Sequence, residues 1–442
     1  MIRGSIAGTV CSWRRLAACA SLLLVLCLQL ACSPAEEEGS AASTASAEDT
    51  LRGALLDAVA GAVIEIPAGT LRFDRALSLA VDGVTLRGAG SDASVLSFAG
   101  QRVGAEGLLV TADDVILEGF AVEDARGDAV KVNECRNIVI RDVRTEWTGG
   151  PSSTNGAYGI YPVQCTGVLI ENSTAIGASD AGIYVGQSFD IVVRNNQVAF
   201  NVAGIEIENS TRADVYGNDV TDNTGGILVF DLPDLPVQGG RATRVYGNRV
   251  YGNNTANFAP AGNIVATVPA GSGIMINAND DIEIFDNDIE DHGTAALMVV
   301  SYLITGRAVT DAAYDPYPER IHVHGNRIGR SGYAPDSEPL TALHGTLGGA
   351  DLPAVIWDGF VAPGARGPTL CLHDNEFAGP ANAADADGAD GAEGAEGSGG
   401  IRAVILDAPG GFADVRFDPP DFDCTLPRLA AVTLPAAGVD AP

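Results

Sequence analysis

The chain has 442 residues, with 54 glycines, 6% aromatic residues and a formal charge of −31. Three arginines and no acidic residue lie within the first 31 residues, so the remainder is more acidic still. This charge argues against nucleic acid and anionic membrane surfaces as partners. Abundant glycine with few aromatic residues is typical of many short strands joined by tight turns.

Residues 1–31 have the pattern of a signal peptide, with a basic start and an apolar run, Leu16 to Leu30, that is too short to span a bilayer. The segment Gln29-Leu-Ala-Cys32 resembles a bacterial lipobox, which predicts lipidation of Cys32. We therefore expect an exported lipoprotein in the periplasm or at the outer membrane, anchored through this lipid alone. Gln29 departs from the usual aliphatic residue, so cleavage and secretion is the alternative.

The segment 32–50 is rich in Ala, Ser and Glu and is predicted to be a disordered tether. The ordered part begins at Thr50, which is suited to cap an amphipathic helix from Leu51 to Val59. Such a helix would cover the open end of a sheet and prevent edge-to-edge aggregation.

Two short units alternate along the chain. One begins with Gly-Ile or a close variant, as in Ala203 to Ser210, and the other ends in a pair such as Gly217-Asn218. Aligned on the second residue of that pair, successive coils are 22 to 49 residues apart, at Phe120, Val143, Ser173, Asn196, Asn218, Asn248, Asn287, Asn326 and Asn375. A minimal turn of about 22 residues with insertions predicts an all-β solenoid of about 9 to 11 stacked coils over residues 51–378.

This strand-turn-Asn-strand pattern resembles the right-handed parallel β-helix proteins of the pectin-lyase superfamily, and implies a single-stranded right-handed parallel β-helix. Four segments are similar to a group of exported bacterial β-helix lipoproteins without an assigned activity: 147–151, 155–165, 180–187 and 228–240. The wider relatives include polysaccharide lyases, hydrolases and epimerases, and periplasmic accessory proteins of copper enzymes.

Four cysteines follow Cys32, an even number that suggests disulfides in an oxidising compartment. Cys135 and Cys165 fall at equivalent positions on adjacent coils, so they would be about 4.8 Å apart, and either a bridge or two stacked thiols fits. Cys371 with Cys424 would then pin the C-terminal end.

The outward positions of the Asn-turn strands form self-complementary columns. Opposite charges alternate, then aromatic rings follow, then His324 and His373. Neighbours in a parallel sheet interact favourably in this order, so the columns are predicted to be structural. Because this register explains the histidines, we predict no metal site, with His322, His324 and His373 as the alternative ligand set.

The outward positions of the Gly-Ile strands show no such order, and three insertions, 147–157, 231–241 and 253–271, border them. Loops at both edges of a face predict a groove. Aromatic side chains offer flat apolar faces that suit the C–H patches of sugar rings. The predicted substrate-binding residues are Tyr161, Tyr184, Trp147, Phe258, Asn133 and Asn277; partly buried structural residues under loops are the alternative.

Glu206 and Glu208 lie on one face of one strand, with Cα atoms about 6.8 Å apart. Paired carboxylates at this spacing can act as acid and base or nucleophile on a glycosidic bond, and Asp231 would add a third. The pair could instead hold a cation such as Ca²⁺. Lys131, the only lysine in the chain, could act as the base in a β-elimination.

Residues 379–400 are an acidic run of small residues and are predicted to be a flexible loop. Residues 401–442 are predicted to form the last strands, from Ile401 to Leu406 and from Val415 to Phe417, and a cap.

We therefore predict an exported monomer that binds or processes an extracellular polysaccharide or oligosaccharide. If it is an enzyme, a polysaccharide lyase or a glycoside hydrolase is expected. The alternative is a non-catalytic periplasmic accessory or scaffold protein of a metal or redox system. Only two methionines, Met275 and Met298, follow the predicted signal peptide, which gives a soft-metal site little support.

Overall fold

The computed structural model describes residues 46–365, 367–377 and 402–434. The predicted signal peptide, Cys32, most of the tether and the acidic run 379–400 lie outside these residues. Strands dominate the described chain and are arranged in two long sheets, which we call the Asn-turn sheet and the Gly-Ile sheet.

The Asn-turn sheet has 20 strands, and the pairings between coils are parallel. Eleven of them precede the turn or run through it: Val63–Glu65, Thr85–Arg87, Ile116–Glu123, Arg136–Glu146, Thr166–Glu171, Phe189–Arg194, Thr211–Tyr216, Arg241–Tyr246, Asp280–Phe285, Glu319–His324 and Leu370–His373. Nine short strands follow the turn: Gly69–Arg72, Ser94–Ser97, Thr174–Ile176, Gln197–Ala199, Asp219–Thr221, Arg249–Tyr251, Asp288–Glu290, Arg327–Ile328 and Glu376–Phe377.

The Gly-Ile sheet has 12 strands, of which the last pairs antiparallel. In order they are Arg75–Leu79, Val103–Val110, Val130–Asn133, Tyr158–Val163, Ala181–Gly186, Ala203–Glu208, Gly225–Phe230, Ser272–Asn277, Ala295–Val300, Val355–Trp357, Ala403–Ile405 and Arg416–Phe417. In the described chain, three 3₁₀ turns lie in the connections, Val265–Thr267, Tyr302–Thr305 and Ala408–Gly410, and a fourth, Pro420–Phe422, follows the last strand. The predicted all-β solenoid of stacked coils is confirmed.

Columns of β-branched and leucine side chains fill the interior of the coils. Ile183, Ile205, Ile227 and Ile274 stack in register from coil to coil and are fully buried. Both sheets therefore bury one face continuously, which explains why the inward positions are almost all apolar.

A ladder of asparagines holds the turns together. In Asn196, Asn218, Asn248, Asn287, Asn326 and Asn375, each side-chain oxygen accepts a backbone N–H from the preceding coil at 2.9–3.1 Å. Each Nδ2 donates to a strand carbonyl. The residue before each asparagine takes the left-handed backbone conformation. The first residue of the pair therefore makes the turn, and the asparagine makes the hydrogen bonds between coils.

The predicted column on the outward face of the Asn-turn sheet is also confirmed. Glu171 pairs with Arg194 at 2.6 Å, and the rings of Tyr216, Tyr246 and Phe285 stack with centroids 4.7 Å apart. Strand register alone brings these side chains together.

Among the residues that the structure describes, two α-helices accompany the solenoid. Helix α1, Ala47–Leu56, begins four residues earlier than predicted, because Ser46 rather than Thr50 is the N-cap and accepts the Asp49 N–H. Its Leu51 and Leu55 are buried against the first coils, as expected of a capping helix. Helix α2, Glu338–Thr346, lies in the connection from the Asn-turn strand Arg327–Ile328 to the Gly-Ile strand Val355–Trp357 and was not predicted.

The cysteines divide into one bridge and two thiols. Cys371 and Cys424 form the predicted disulfide, with Cα atoms 4.9 Å apart. In the described chain, Cys135 and Cys165 are buried thiols, so the structure has the stacked thiols and not the bridge that was the other alternative for this pair. The two cysteines occupy the turn position that Ser188 occupies on the next coil, where the Ser188 hydroxyl accepts the Cys165 N–H. The Cys165 thiol lies 3.4 Å from the Val163 carbonyl. Each thiol therefore fits this turn position as a small stacked side chain.

Replacing a ladder asparagine tests how much the ladder stabilises the fold. Asn218→Ala removes the acceptor for Asn196 and the donor to the Val193 carbonyl, leaving buried polar groups unpaired. We expect a loss of about 2–4 kcal/mol in the free energy of unfolding. Denaturant unfolding measures this, with Asn133→Ala as the control, because Asn133 makes no side-chain hydrogen bond within the described residues. Equal losses in the two variants would contradict the role of the ladder.

Candidate functional site

The outward face of the Gly-Ile sheet is covered in its middle coils. Leu228, Phe230 and Met275 point outward yet are buried in a second hydrophobic core outside the coils. The covering side chains come from the 253–271 insertion and from the insertion that holds α2: Val265, Val268, Leu340 and Leu352. The structure thus corrects the expected open groove here, since outward apolar side chains have to be shielded from water.

Glu206 and Glu208 lie under this cover. They are 1% and 7% exposed, so both are buried rather than displayed in a groove. Glu208 accepts a hydrogen bond from the Tyr184 hydroxyl at 2.5 Å. Among the described residues, neither carboxyl oxygen of Glu206 has a hydrogen-bond partner. A buried carboxyl without a partner is costly, which is typical of a functional site.

Gly186 makes the contact between Tyr184 and Glu208 possible. It lies in register with Glu208 on the neighbouring strand, and the Tyr184 ring folds over it. A Cβ atom at this position would lie 2.3 Å from Cε1 of Tyr184. The glycine is therefore needed for the close approach of the phenol to the carboxylate.

Tyr158 joins Tyr161 and Tyr184 in an aromatic triad that strict alternation did not predict. Counted back from Tyr161, Tyr158 should face inward. However, Gly159 and Ile160 both face the interior, since a Cβ on Gly159 would lie 2.6 Å from the Thr145 hydroxyl. Tyr158 is thereby turned outward, and the three ring centroids are 4.4–4.9 Å apart.

Asp180 is a further carboxylate that the sequence reasoning missed. It is buried directly before the strand Ala181–Gly186 and accepts a hydrogen bond from Asn263 of the 253–271 insertion at 3.3 Å. The sequence could have pointed to Asp180, because it directly precedes a Gly-Ile strand and so lies beside the predicted site. We call Asp180, Glu206, Glu208, Tyr158, Tyr161 and Tyr184 the carboxylate–tyrosine cluster.

One end of the cluster is less covered than the rest. Tyr158 and Tyr161 are half-buried, and the Lys131 ammonium lies 4.9 Å from the Tyr161 ring centroid. Lys131 also lies 3.8 Å from the Asp128 carboxylate. The structure thus places Lys131 beside the tyrosines, at the accessible end of the cluster.

The chain matches a family model described as "Right handed beta helix region" over residues 82–241. The chain folds as a right-handed parallel β-helix. The fold implied by the resemblance to the pectin-lyase superfamily is thereby confirmed. No curated protein matches the sequence. Within the described residues, none of the helices has the length and apolar character needed to span a membrane.

Solved structures similar to this β-helix protein include two epimerases and one lyase. The A-module of the mannuronan C-5 epimerase AlgE4 of Azotobacter vinelandii has 19% identity and a TM-score of 0.47, covering 75% of this chain and 90% of its own. The periplasmic alginate epimerase AlgG has 13% identity and a TM-score of 0.40, and the match covers 72% of this chain and 78% of that protein. The alginate lyase AlyF-OU02 has 14% identity and a TM-score of 0.37, and the match covers 75% of this chain and 81% of that protein. At these scores, conclusions about function rest on the geometry of this chain.

Burial dominates the electrostatics of the cluster in this β-helix protein. It raises the pKa of Asp180 to about 7, with the Glu208 charge adding to the effect. It raises the pKa of Glu208 to about 7, although the Tyr184 hydroxyl acts in the opposite direction. The pKa of Glu206 lies well above its usual value, again through burial and then the Glu208 charge. Near neutral pH, this site therefore holds both protonated and ionised carboxyls.

The other predicted site residues have different surroundings. Asp231 is buried and accepts the Gly240 N–H at 2.8 Å, which organises the 231–241 insertion. Trp147 belongs to the interior core and donates to the Ala125 carbonyl at 2.7 Å, so the expectation that it displays its ring to a ligand is corrected. Phe258 packs half-buried against the second core, and Asn133 is half-buried on its strand.

A groove of about 490 Å³ lies on the same face toward the C-terminal coils. Its walls are mostly apolar and include Phe230, Met298, Leu340 and Phe412. The polar residues that line it include Asn277 and Asp358, and the Asp358 carboxylate accepts the Ser301 N–H at 2.6 Å. Because Glu208 pairs in register with Phe230 and then Asn277, this groove begins one coil from the carboxylate–tyrosine cluster.

For the Ca²⁺ alternative, the described residues add no third Asp, Glu, His or Cys ligand to Glu206 and Glu208. Among the described residues, the side chains whose ligand atoms gather as a set of three or more within 4.8 Å belong to the other sheet. Glu206 and Glu208 are not part of such a set.

Stability should depend on pH through this cluster. Folding raises these carboxyl pKa values above their values of about 4 in the unfolded chain, so the folded state binds more protons. For Asp180 and Glu208 the stability this contributes is present below about pH 4 and is lost as the pH rises through about 7. The pKa of Glu206 is also raised by burial, so we expect Glu206→Gln, which cannot ionise, to gain stability relative to wild type as the pH rises from about 4 to about 8.

Thermal unfolding of both proteins across this pH range measures the difference. Glu65→Gln, an exposed carboxyl on an early coil, is the matched control and should show no such trend. A stability difference between Glu206→Gln and wild type that is independent of pH would contradict the account.

Proposed function

We propose that this β-helix protein binds and processes a polysaccharide at the carboxylate–tyrosine cluster. The observation that supports this most is the Tyr184–Glu208 hydrogen bond of 2.5 Å beside two further buried carboxyls, Asp180 and Glu206. Cleavage of a glycosidic bond needs one carboxylic acid that donates a proton and one carboxylate that acts as base or nucleophile. Carboxyls whose pKa values lie near 7 can supply both forms at neutral pH.

Glu208 is the better candidate for the acid. The Tyr184 hydroxyl donates to it and fixes its orientation. In the protonated state Glu208 donates its proton to the departing glycosidic oxygen, and ionised Asp180 is the second carboxylate, either as base toward the attacking water or as the nucleophile. Tyr184 is then a positioning residue for the acid.

Charge favours a neutral glycan over a polyuronate. The chain carries a formal charge of −31, and the cluster adds carboxyls to the binding face. A β-elimination on a uronate needs a cation that neutralises the substrate carboxylate. Lys131 is the nearby cation, and Asp128 already lies 3.8 Å from it. Hydrolysis of an uncharged polymer therefore fits this face better than the lyase reaction.

The substrate reaches the cluster from the end formed by Tyr158 and Tyr161. These half-buried rings offer flat apolar faces to the C–H side of a sugar. The 253–271 insertion lies over the cluster, and its Asn263 donates a hydrogen bond to Asp180. This insertion therefore has to move before a sugar can contact Glu208. Binding without turnover is the second form of this proposal, and the same assay separates the two.

Turnover tests the assignment. We expect Glu208→Gln to lower the turnover of a cleaved glycan by at least about 100-fold, the usual size of a general-acid contribution. A panel of neutral glycans and polyuronates is followed by product size and by the absorbance of unsaturated uronates, which separates hydrolase from lyase. Glu65→Gln serves as the control and should keep full turnover. Full turnover in Glu208→Gln would contradict the site.

Tyr184→Phe tests positioning separately. Loss of its hydrogen bond to the Glu208 carboxylate should raise the pKa of Glu208, so the alkaline limb of the pH–rate profile should move to higher pH. An unchanged pH profile would contradict a link between Tyr184 and the acid.

We also propose that the protein acts outside the cytoplasm as a lipoprotein. The signal-peptide pattern and Cys32 support this, and the Cys371–Cys424 disulfide is typical of an oxidising compartment. Wild type should fractionate with membranes, and Cys32→Ser should appear in the soluble or secreted fraction. Wild type in the soluble fraction without the added mass of a lipid would contradict lipidation.

A further inference from the structure

A second cluster of polar side chains lies on the outward face of the Asn-turn sheet, away from the carboxylate–tyrosine cluster. His322 and His324 are on one strand, Glu319–His324, and point to the same side. Glu283 stands in register with His322 on the preceding strand, and His373 stands in register with His324 on the following one. The stacking of coils therefore gathers three imidazoles and one carboxylate.

His322 is not satisfied by this stacking. It is 5% exposed, and within residues 46–365, 367–377 and 402–434 neither of its ring nitrogens has a hydrogen-bond partner. Its ring centroid lies 4.4 Å from that of His324. Burying an unpaired polar ring costs free energy, so the column alone does not account for this histidine. A group that accepts its nitrogen lone pair would remove the cost.

Glu283 and His324 complete a set of ligands. Nε2 of His324 lies 3.0 Å from Oε1 of Glu283, and both side chains are buried. One ligand atom from each of Glu283, His322 and His324 lies within 4.8 Å of the other two. An ion bound at about 2.0–2.2 Å from each atom therefore needs only small rotations of these side chains.

We propose that Glu283, His322 and His324 bind a divalent transition-metal ion, with Zn²⁺ as the first candidate. Two imidazoles and one carboxylate form a ligand set that first-row divalent metals accept, with a position left for water or a further ligand. A pocket of about 340 Å³ leads to this site and is lined by His373, Asp374 and Arg428 in addition to the two histidines. His373 is partly exposed at the pocket, and its Nε2 lies 3.0 Å from the Asp374 carboxylate.

The C-terminal segment lies over this site and competes with the ion. A guanidinium nitrogen of Arg428 lies 3.1 Å from Oε1 of Glu283, and the Leu429 N–H donates to Oε2 at 3.0 Å. A divalent ion on Oε1 would displace or repel the Arg428 guanidinium. Removal of that charge should therefore strengthen binding, an effect opposite to that of losing a ligand.

The experiment uses chain purified without a polyhistidine tag and stripped with a chelator. Titration calorimetry with Zn²⁺, and the visible absorbance of bound Co²⁺, should give one ion per chain. His322→Gln and His324→Gln should each weaken binding by at least about 10-fold. His344→Gln on helix α2 is the matched control and should bind like wild type. Arg428→Gln should bind more tightly than wild type.

Circular dichroism confirms that each variant is folded, and Arg428→Gln keeps all the ligands, so its result does not depend on a damaged site. Absence of binding by wild type would overturn the proposal. Equal affinity in wild type and His322→Gln, or weaker binding by Arg428→Gln, would also overturn it. These outcomes are independent of glycan turnover.

Discussion

The constraint on which this molecule depends is the spacing between parallel strands, about 4.8 Å from one coil to the next. Because each coil repeats the path of the one before, every side chain has its neighbours fixed by register. The asparagine ladder secures this spacing at the turns, since each Asn bonds both to its own copy and to the strand backbone. Packing in the interior and chemistry on the surface both follow from these stacked columns.

The two sheets use the columns differently. On the outward face of the Asn-turn sheet, side chains of opposite charge pair between coils and aromatic rings stack between coils. Most side chains on that face therefore find their partners within the same column. On the Gly-Ile sheet the column passes from Lys131 through two tyrosines to Glu206 and then to Leu228. The outward apolar side chains of this face have to be shielded from water, and the 253–271 insertion and the segment that holds α2 shield them. The same two segments bury Asp180, Glu206 and Glu208. Their raised pKa values are the consequence of that desolvation.

What was predictable from the sequence is what repeats. The coil spacing gave the parallel sheets, and the register mark placed Tyr216, Tyr246 and Phe285 in one stack. Glu206 and Glu208 could be singled out because they interrupt a column. Their burial could not be predicted, since the 253–271 insertion and helix α2 follow no period.

Other features depend on departures from the repeat. Tyr158 was missed because Gly159 faces inward beside Ile160, which breaks the alternation of two. The contact of Arg428 with Glu283 joins residues that are 145 positions apart, through a segment without secondary structure. The sequence placed His322 in a column correctly, but only the structure shows that the column leaves its ring nitrogens unpaired.

The central claim is that the covered face of the Gly-Ile sheet holds carboxyl groups that stay protonated near neutral pH. Infrared difference spectroscopy measures this directly, through the carbonyl stretch of protonated carboxylic acids near pH 6. The account predicts that this band is present in wild type and is reduced in Glu206→Gln and again in Glu208→Gln, but not in Glu65→Gln. Identical bands in wild type and in both cluster variants would contradict it.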